Sequence, residues 1–300
     1  MKTFENKFYV DGGCKMNNDL ISDKKINDDY YEIVKKVDNK KYNLSENNIF
    51  YSISSKLKFP QGSQGINVFK QKYKIIWRKQ FAGLFHYSER NLLIYSNNYI
   101  GVFSNNKQEI LYLFALLNSP ITIHLLRNFF MLKDEKYGMF IAIRRLKDYF
   151  RIPKINASNK HIKLEIIEKV QELLNLENKT LSDFIDFENI MLQKFDKIEI
   201  LENNLLLHKK QKIYNLEIKN NFELLKLKFQ ELKNTAFSLE ELKNLEIIDF
   251  DKIKVLKNHI DNMVFALYFK IKIQTSEIKS MKIVKKLCKK NKYYEYIFLN

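Results

Sequence analysis

The spacing of apolar residues changes twice along this chain. From residue 50 to about 105, short apolar and β-branched runs alternate with polar breaks. Phe50–Ile53, Ile66–Phe69, Lys74–Arg78, Leu92–Tyr95 and Tyr99–Phe103 are predicted strands. Gly62 and Gly65 share one loop, and Asn97-Asn98 predicts a hairpin turn. The period then becomes helical. Ile110, Leu113, Phe114 and Leu117 form one face of a helix over Lys107–Asn118, and Ser119 followed by Pro120 gives an N-cap and first-turn signal for a second helix. Met139–Ile143 reads as a strand that runs straight into Arg144, Arg145 and Lys147, and Ile152-Pro153 closes this part of the chain. Beyond Asn159 the pattern is helical throughout. Its stripes are Ile162/Ile166/Val170/Leu173, then Leu181/Phe184/Ile185/Leu192/Phe195, Phe222/Leu225/Phe229/Leu232 and Ile253/Leu256/Ile260/Val264/Leu267. Ser238 and Glu241 form a capping box before Leu242. The expected fold class is α+β: a polar connecting segment over 1–45, a mixed strand/helix domain over 46–156, and an all-helical domain with a basic tail over 157–300.

Charge sharpens this picture. The formal net charge is +17, and residues 51–150 hold 15 Lys/Arg against 5 Asp/Glu while residues 1–50 hold 9 of each. A basic field concentrated in the mixed domain favours phosphate backbones or anionic surfaces as partners. Leu111–Leu132 is apolar enough to suggest a membrane span. It also contains Asn118, Ser119, Pro120, His124, Arg127 and Asn128, which fit a buried helical hairpin better, so no membrane partner is expected. Cys14 and Cys288 are far apart and suggest no disulfide framework, and Met1–Tyr9 lacks the apolar core of a signal peptide. A cytoplasmic protein with reduced thiols is expected.

Several chemistries lack their residues here. Only Pro60, Pro120 and Pro153 occur and none are adjacent, so the Asx-Pro-Pro-aromatic loop that holds a target amine in amino-methyltransferases is missing. No G-x-G turn and no P-loop occur, so no cofactor is expected in this chain. The five histidines, among them His86 as an expected surface-loop residue, show no metal-ligand spacing. Asp134-Glu135-Lys136 is the kind of acid–lysine cluster that arises by chance in so charged a chain. Arg78 and Arg144-Arg145 follow predicted strands, where a guanidinium can be held rigidly against a base edge or a phosphate. Trp77 has two readings, core packing or stacking on a base. The candidate DNA-contacting set is Lys74, Trp77, Arg78, Lys79, Arg90, Arg144, Arg145 and Lys147; no catalytic, cofactor or metal residue is assigned.

Three stretches in order, KYKIIWRKQF, YLFALLNSPI and LKDYFRIPKI, resemble the TaqI-like C-terminal specificity domain of adenine-specific DNA methyltransferases, a domain also found in fused restriction–modification enzymes. KTLSDFIDF, FELLKLKFQELKN and HIDNMVFALYF are similar to that family's trailing helices. The resemblance covers roughly residues 45–270. It implies a module that selects a DNA sequence for an enzyme transferring methyl from S-adenosylmethionine to adenine, with double-stranded DNA as partner and no activity by itself. Two departures stand out. Phe269-Lys270 replaces the usual Gly-Leu turn, and no residue matches the family's catalytic or cofactor positions. A stand-alone specificity subunit serving a separate methyltransferase chain, one half of a split methyltransferase, and a basic RNA-binding or membrane-surface protein are the alternatives.

Overall fold

The structure, a computed structural model, describes residues 2–3, 8–15, 21–34, 37, 41–44, 49–53, 57–59, 65–80, 84–94, 99–126, 131–134, 138–141, 146–148, 150–188, 190–191, 194–231 and 237–269. Helices and strands are mixed, as an α+β chain requires. They fall into two compact units, one formed by Met1–Gln171 with Leu256–Asn300, the other by Glu172–Val255. The units therefore do not separate at residue 156, where the sequence suggested a boundary.

The first unit is built on two four-stranded sheets. In one, β2 (Tyr9–Asp11), β9 (Tyr99–Ser104), β6 (Tyr73–Arg78) and β7 (His86–Ser88) pair antiparallel in that order. In the other, β3 (Ile21–Ser22), β5 (Ile49–Ile53) and β4 (Tyr30–Val34) pair antiparallel, and β8 (Leu92–Ile94) joins β4 in parallel. The segment expected as a connector thus supplies β2, β3 and β4. Its polar composition hid them because each is short, and among their residues only Ile33 and Val34 of β4 are buried apolar side chains. β1 (Lys2–Thr3) likewise pairs with β12 (Arg151–Ile152).

Ile33, Val34, Ile76, Leu92, Leu93, Ile94, Tyr99 and Phe103 from both sheets share one core cluster with Phe69 of α1 (Ile66–Phe69). Phe69 meets Phe103 edge-on at 4.9 Å. Gly101 permits this approach, since a Cβ there would lie 2.4 Å from Ile94 Cδ1 and 2.7 Å from Phe103 Cζ. Two expectations fail here. Ile66–Phe69 is a helical turn, because Val68 and Phe69 are buried next to each other rather than alternating. The strands flanking Asn97-Asn98 do not form a hairpin, because β8 and β9 belong to different sheets; the two asparagines themselves lie outside the described residues.

The helices after β9 follow the sequence closely. α2 (Lys107–Leu117) is capped by Asn106, whose side chain accepts from Glu109 N, and α3 (Pro120–Leu125) by Ser119, which accepts from Thr122 N. Between them, buried Asn118 accepts from Phe85 N at 3.1 Å and donates to Phe85 O at 3.1 Å and Phe114 O at 3.2 Å. One amide thereby ties the end of α2 to the chain entering β7. β10 (Met131–Asp134) and β11 (Gly138–Ile141) form an antiparallel hairpin. α4 (Lys160–Glu177) begins in this unit, and the last part of α7 (Phe250–Phe269) completes it: His259 meets Glu165 at 2.9 Å, and Tyr268 Oη donates to Arg151 O at 2.9 Å.

The second unit corrects the expectation of an all-helical C-terminal domain. β14 (Lys197–Leu201), β15 (Asn204–Lys209) and β16 (Lys212–Glu217) form an antiparallel meander, and β13 (Lys194–Phe195) pairs with β17 (Phe237–Ser238). Leu205 and Leu207 are buried while their neighbours are more exposed, the two-residue period of a half-covered strand. The turns carry Glu202 and Lys210 at φ 50° and 51°, without glycine, so no turn signal marked them. Among the described residues of the stripe expected over 181–195, only a single 3₁₀ turn at Leu181–Asp183 is helical, and Phe195 lies in β13; Leu192 lies outside the described residues. α5 (Phe222–Glu231) carries Phe222, Leu225 and Phe229 of its expected stripe, Leu232 lying outside the described residues, and α6 (Leu239–Lys243) starts at the expected Ser238/Glu241 capping box.

Asn118→Ala should lower the stability of the first unit by about 2–4 kcal/mol, because it removes both buried hydrogen bonds that the amide makes to the Phe85 backbone. The sole tryptophan, Trp77, is fully buried in this unit, so its fluorescence during denaturation reads this transition. An unshifted midpoint would mean that the amide link does not hold β7 in place.

Candidate nucleic-acid interface

β6 is β-branched and aromatic in its middle and basic at its end, so it is driven into the core and delivers charge where it leaves. Lys74 breaks this pattern. It is fully buried, and its ammonium donates to Arg90 O at 2.6 Å and to Gln71 O. Burial pushes its pKa down to about 7, with the Glu32 carboxylate opposing the shift. Trp77 is also fully buried and packs on Phe85 with ring centroids 5.3 Å apart. Its indole N–H has no acceptor among the described residues. Neither side chain can touch a duplex in this fold. For Trp77 the core reading prevails over base stacking.

Arg90 is removed from the candidate set for a different reason. Its guanidinium grips Glu32 through both nitrogens at 2.9 Å, a fork that pins the chain entering β8 to β4. The cation is spent on the fold. Lys107 with Glu89, Lys163 with Glu109 and Lys257 with Asp261 are similarly paired.

Arg78 and Lys79 remain. Arg78 is exposed at the last position of β6, opposite Tyr99. Burial raises the Tyr99 hydroxyl's pKa, and the charge of Arg78 opposes that rise. Lys79 is half-buried, and its carbonyl accepts from Ile141 N at 3.3 Å. Burial holds the Lys79 ammonium's pKa down, and the positive charge of Lys15 adds to the effect. Lys15 in turn forms a two-residue antiparallel bridge with Lys58, N–H to carbonyl at 2.7 and 2.9 Å. Lys15 and Lys58 went unnoticed in the sequence because they sit in separate polar segments and only pairing brings them together. Lys147 is half-buried between buried Leu146 and exposed Asp148. Arg144 and Arg145 lie outside the described residues, as do Glu135 and Lys136.

His86 is buried on β7, with Nδ1 2.9 Å from Lys41 O, rather than in a surface loop. The described residues contain no group of His, Cys, Asp or Glu that could hold a metal ion, and no helix long and apolar enough to cross a membrane. No family model matches the chain, and no curated protein does either.

Two outcomes follow from this division of the cations. Lys74 is protonated in the unfolded chain up to about pH 10.5 and loses its proton near 7 when folded. The unfolded state therefore binds the extra proton between those values, and the first unit should gain stability as pH rises from about 7. The slope is at most about 1.4 kcal/mol per pH unit. Denaturation followed by Trp77 fluorescence from neutral to mildly alkaline pH should show this rise in the wild type and lose it in Lys74→Met. Arg90→Ala should cost about 1–3 kcal/mol of stability by orphaning Glu32, read in the same Trp77 denaturation at neutral pH. An unchanged midpoint would mean that the fork does not hold β8 to β4.

Proposed function

We propose that this chain is the sequence-specific DNA recognition module of a site-specific adenine methyltransferase or restriction–modification enzyme, inactive by itself. The observation that carries the reading is the end of β6. The KIIWR stretch of the resemblance is a central strand whose body is buried and whose last residue, Arg78, is exposed; neither Arg78 nor the half-buried Lys79 that follows has a carboxylate partner among the described residues. The other two stretches belong to the same compact unit: YLFALLNSPI is α2 with the start of α3, locked to the sheet by Asn118, and LKDYFRIPKI leads through β12 to the exit at Pro153.

In this reading the strand holds the guanidinium of Arg78 for a base edge, and Arg144, Arg145 and Lys147 are further DNA-contacting residues. The lysines neutralise phosphates and set the register. Methyl transfer belongs to the parent enzyme's catalytic domain, which would bind S-adenosylmethionine and the extruded adenine while this module holds the sequence. The partner is double-stranded DNA.

The test begins with selection of bound duplexes from a random pool, followed by paired fluorescence titrations on the selected and a scrambled duplex. Arg78→Ala and Arg144→Ala should each flatten the preference by about 1–3 kcal/mol, the usual worth of a bidentate base contact. Replacing Lys285, Lys286, Lys289 and Lys290 with Gln should weaken both duplexes alike. Failure of the wild-type chain to enrich any sequence, or an affinity that ignores salt, would refute the reading.

A further inference from the structure

The second sheet of the first unit has a gap beside β4. β8 runs alongside β4 only from Glu32 onward, where Glu32 lies opposite Leu92. β4 begins two residues earlier and is already paired there on its other side, Tyr30 with Ile53 and Tyr31 with Ser52 of β5. An open cleft of about 420 Å³ lies at this place. Tyr30, Tyr31 and Asn91 line it, together with the pairs Lys25–Asp28 and Arg90–Glu32. Its size is that of a site for one small ligand.

Consecutive residues of a strand point to opposite faces of the sheet. Tyr30 and Tyr31 nevertheless both line the same cleft. The opening therefore lies in the plane of the sheet, in the lane that β8 would fill if its pairing began two residues sooner, with one tyrosine on either side. Both tyrosines are half-buried. Tyr31 leans on the core shared by the two sheets, and the turn before Tyr30 is closed by Tyr30 N donating to Asn27 O at 3.2 Å.

The charges of the lining cancel. Lys25 meets Asp28 at 2.8 Å, and Arg90 reaches Glu32 through two nitrogens at 2.9 Å. A phosphate entering here would find each cation already held by a carboxylate. What the cleft offers instead is two aromatic side chains and the exposed amide of Asn91, which carries a donor and an acceptor. A flat, uncharged ring with hydrogen-bonding edges matches that offer: its faces suit the tyrosines and its edge suits the amide. A base inside a duplex is stacked and paired, so only an unpaired one can enter such a lane.

We propose that this cleft takes one unpaired nucleobase, stacked between Tyr30 and Tyr31 with its edge at Asn91. The stack stands on the geometry of the cleft; only the assignment of the base to a DNA strand rests on the function proposed above.

The probe is 2-aminopurine, a base analogue whose fluorescence is quenched by stacking. The full chain is titrated with a duplex carrying one bulged 2-aminopurine, with the same duplex carrying it paired, and with 2-aminopurine riboside alone. The bulged duplex should bind more tightly than the paired one and be quenched. Tyr30→Leu should weaken binding of the bulged duplex by about 5–150-fold, the usual worth of one base–aromatic stack, and Tyr30→Phe should keep wild-type binding. Equal losses in the two variants would make the hydroxyl the contact and overturn the stack. Asn91→Met, at an exposed position, should obstruct the lane and reduce quenching. Where Tyr30→Leu lowers the Trp77 denaturation midpoint, Asn91→Met decides, and undiminished quenching in it overturns the cleft.

The arms separate the two readings. Equal affinity and quenching for bulged and paired duplexes removes the cleft and leaves DNA recognition standing. Quenching of the riboside without binding of either duplex keeps the cleft, assigns it to free nucleosides, and removes DNA recognition.

Discussion

The pairing of β6 with β9 over six residues, Tyr73–Ser104 to Arg78–Tyr99, is the constraint on which the first unit depends. It places a strand buried from Lys74 to Trp77 between two covered faces. On one side Ile76 joins Ile94, Phe69 and Phe103 in the core shared by the two sheets. On the other, Trp77 packs on Phe85, whose backbone is held by Asn118 at the end of α2. A shift of one residue in this register would turn every apolar side chain of β6 to the wrong face. It would also withdraw Arg78 from the sheet's end. The same hydrogen bonds that organise the core therefore decide which cations reach solvent.

That selection is what gives the charge of this chain its meaning. A net charge of +17 says only that the protein is attracted to polyanions. Within the first unit the cations have different fates. Lys74 is buried against two carbonyls, Arg90 is clamped to Glu32, and Lys163 is tied to Glu109. What remains at the exit of β6 is a small group, and small groups with fixed geometry can discriminate where diffuse charge cannot.

The long periodic segments were legible from the sequence. α2, the Ser119-Pro120 restart, the capping box at Ser238 and Glu241, and the stripe Ile253 to Leu267 all lie where the pattern placed them, because each carries a local physical cause. β6 and β9 were legible for the same reason. The meander from Lys197 to Glu217 was not, since Glu202 and Lys210 turn the chain without glycine and the leucine-rich runs fit helix and strand alike. The candidate site divided along similar lines. Arg78 and Lys79 could be found because they end a recognisable strand. The burial of Lys74 depends on the loop holding Arg90, and the meeting of Lys15 with Lys58 depends on pairing across more than forty residues. No local pattern encodes either.

The first unit is discontinuous: residues 172–255, which form the second unit, are inserted before α7 returns to complete it. A ribosome therefore releases the second unit whole while the first still lacks its last helix. At roughly 5–20 residues per second the insertion takes on the order of 4–17 seconds to synthesise, during which the first unit waits for its last helix, long compared with the folding of most small domains. For that time the surface that will receive Met263, Val264 and Leu267 has no cover, and Arg151 has no Tyr268. The nascent chain would meet chaperones at this stage, and premature termination within the insertion would leave both sheets synthesised but their unit unfinished.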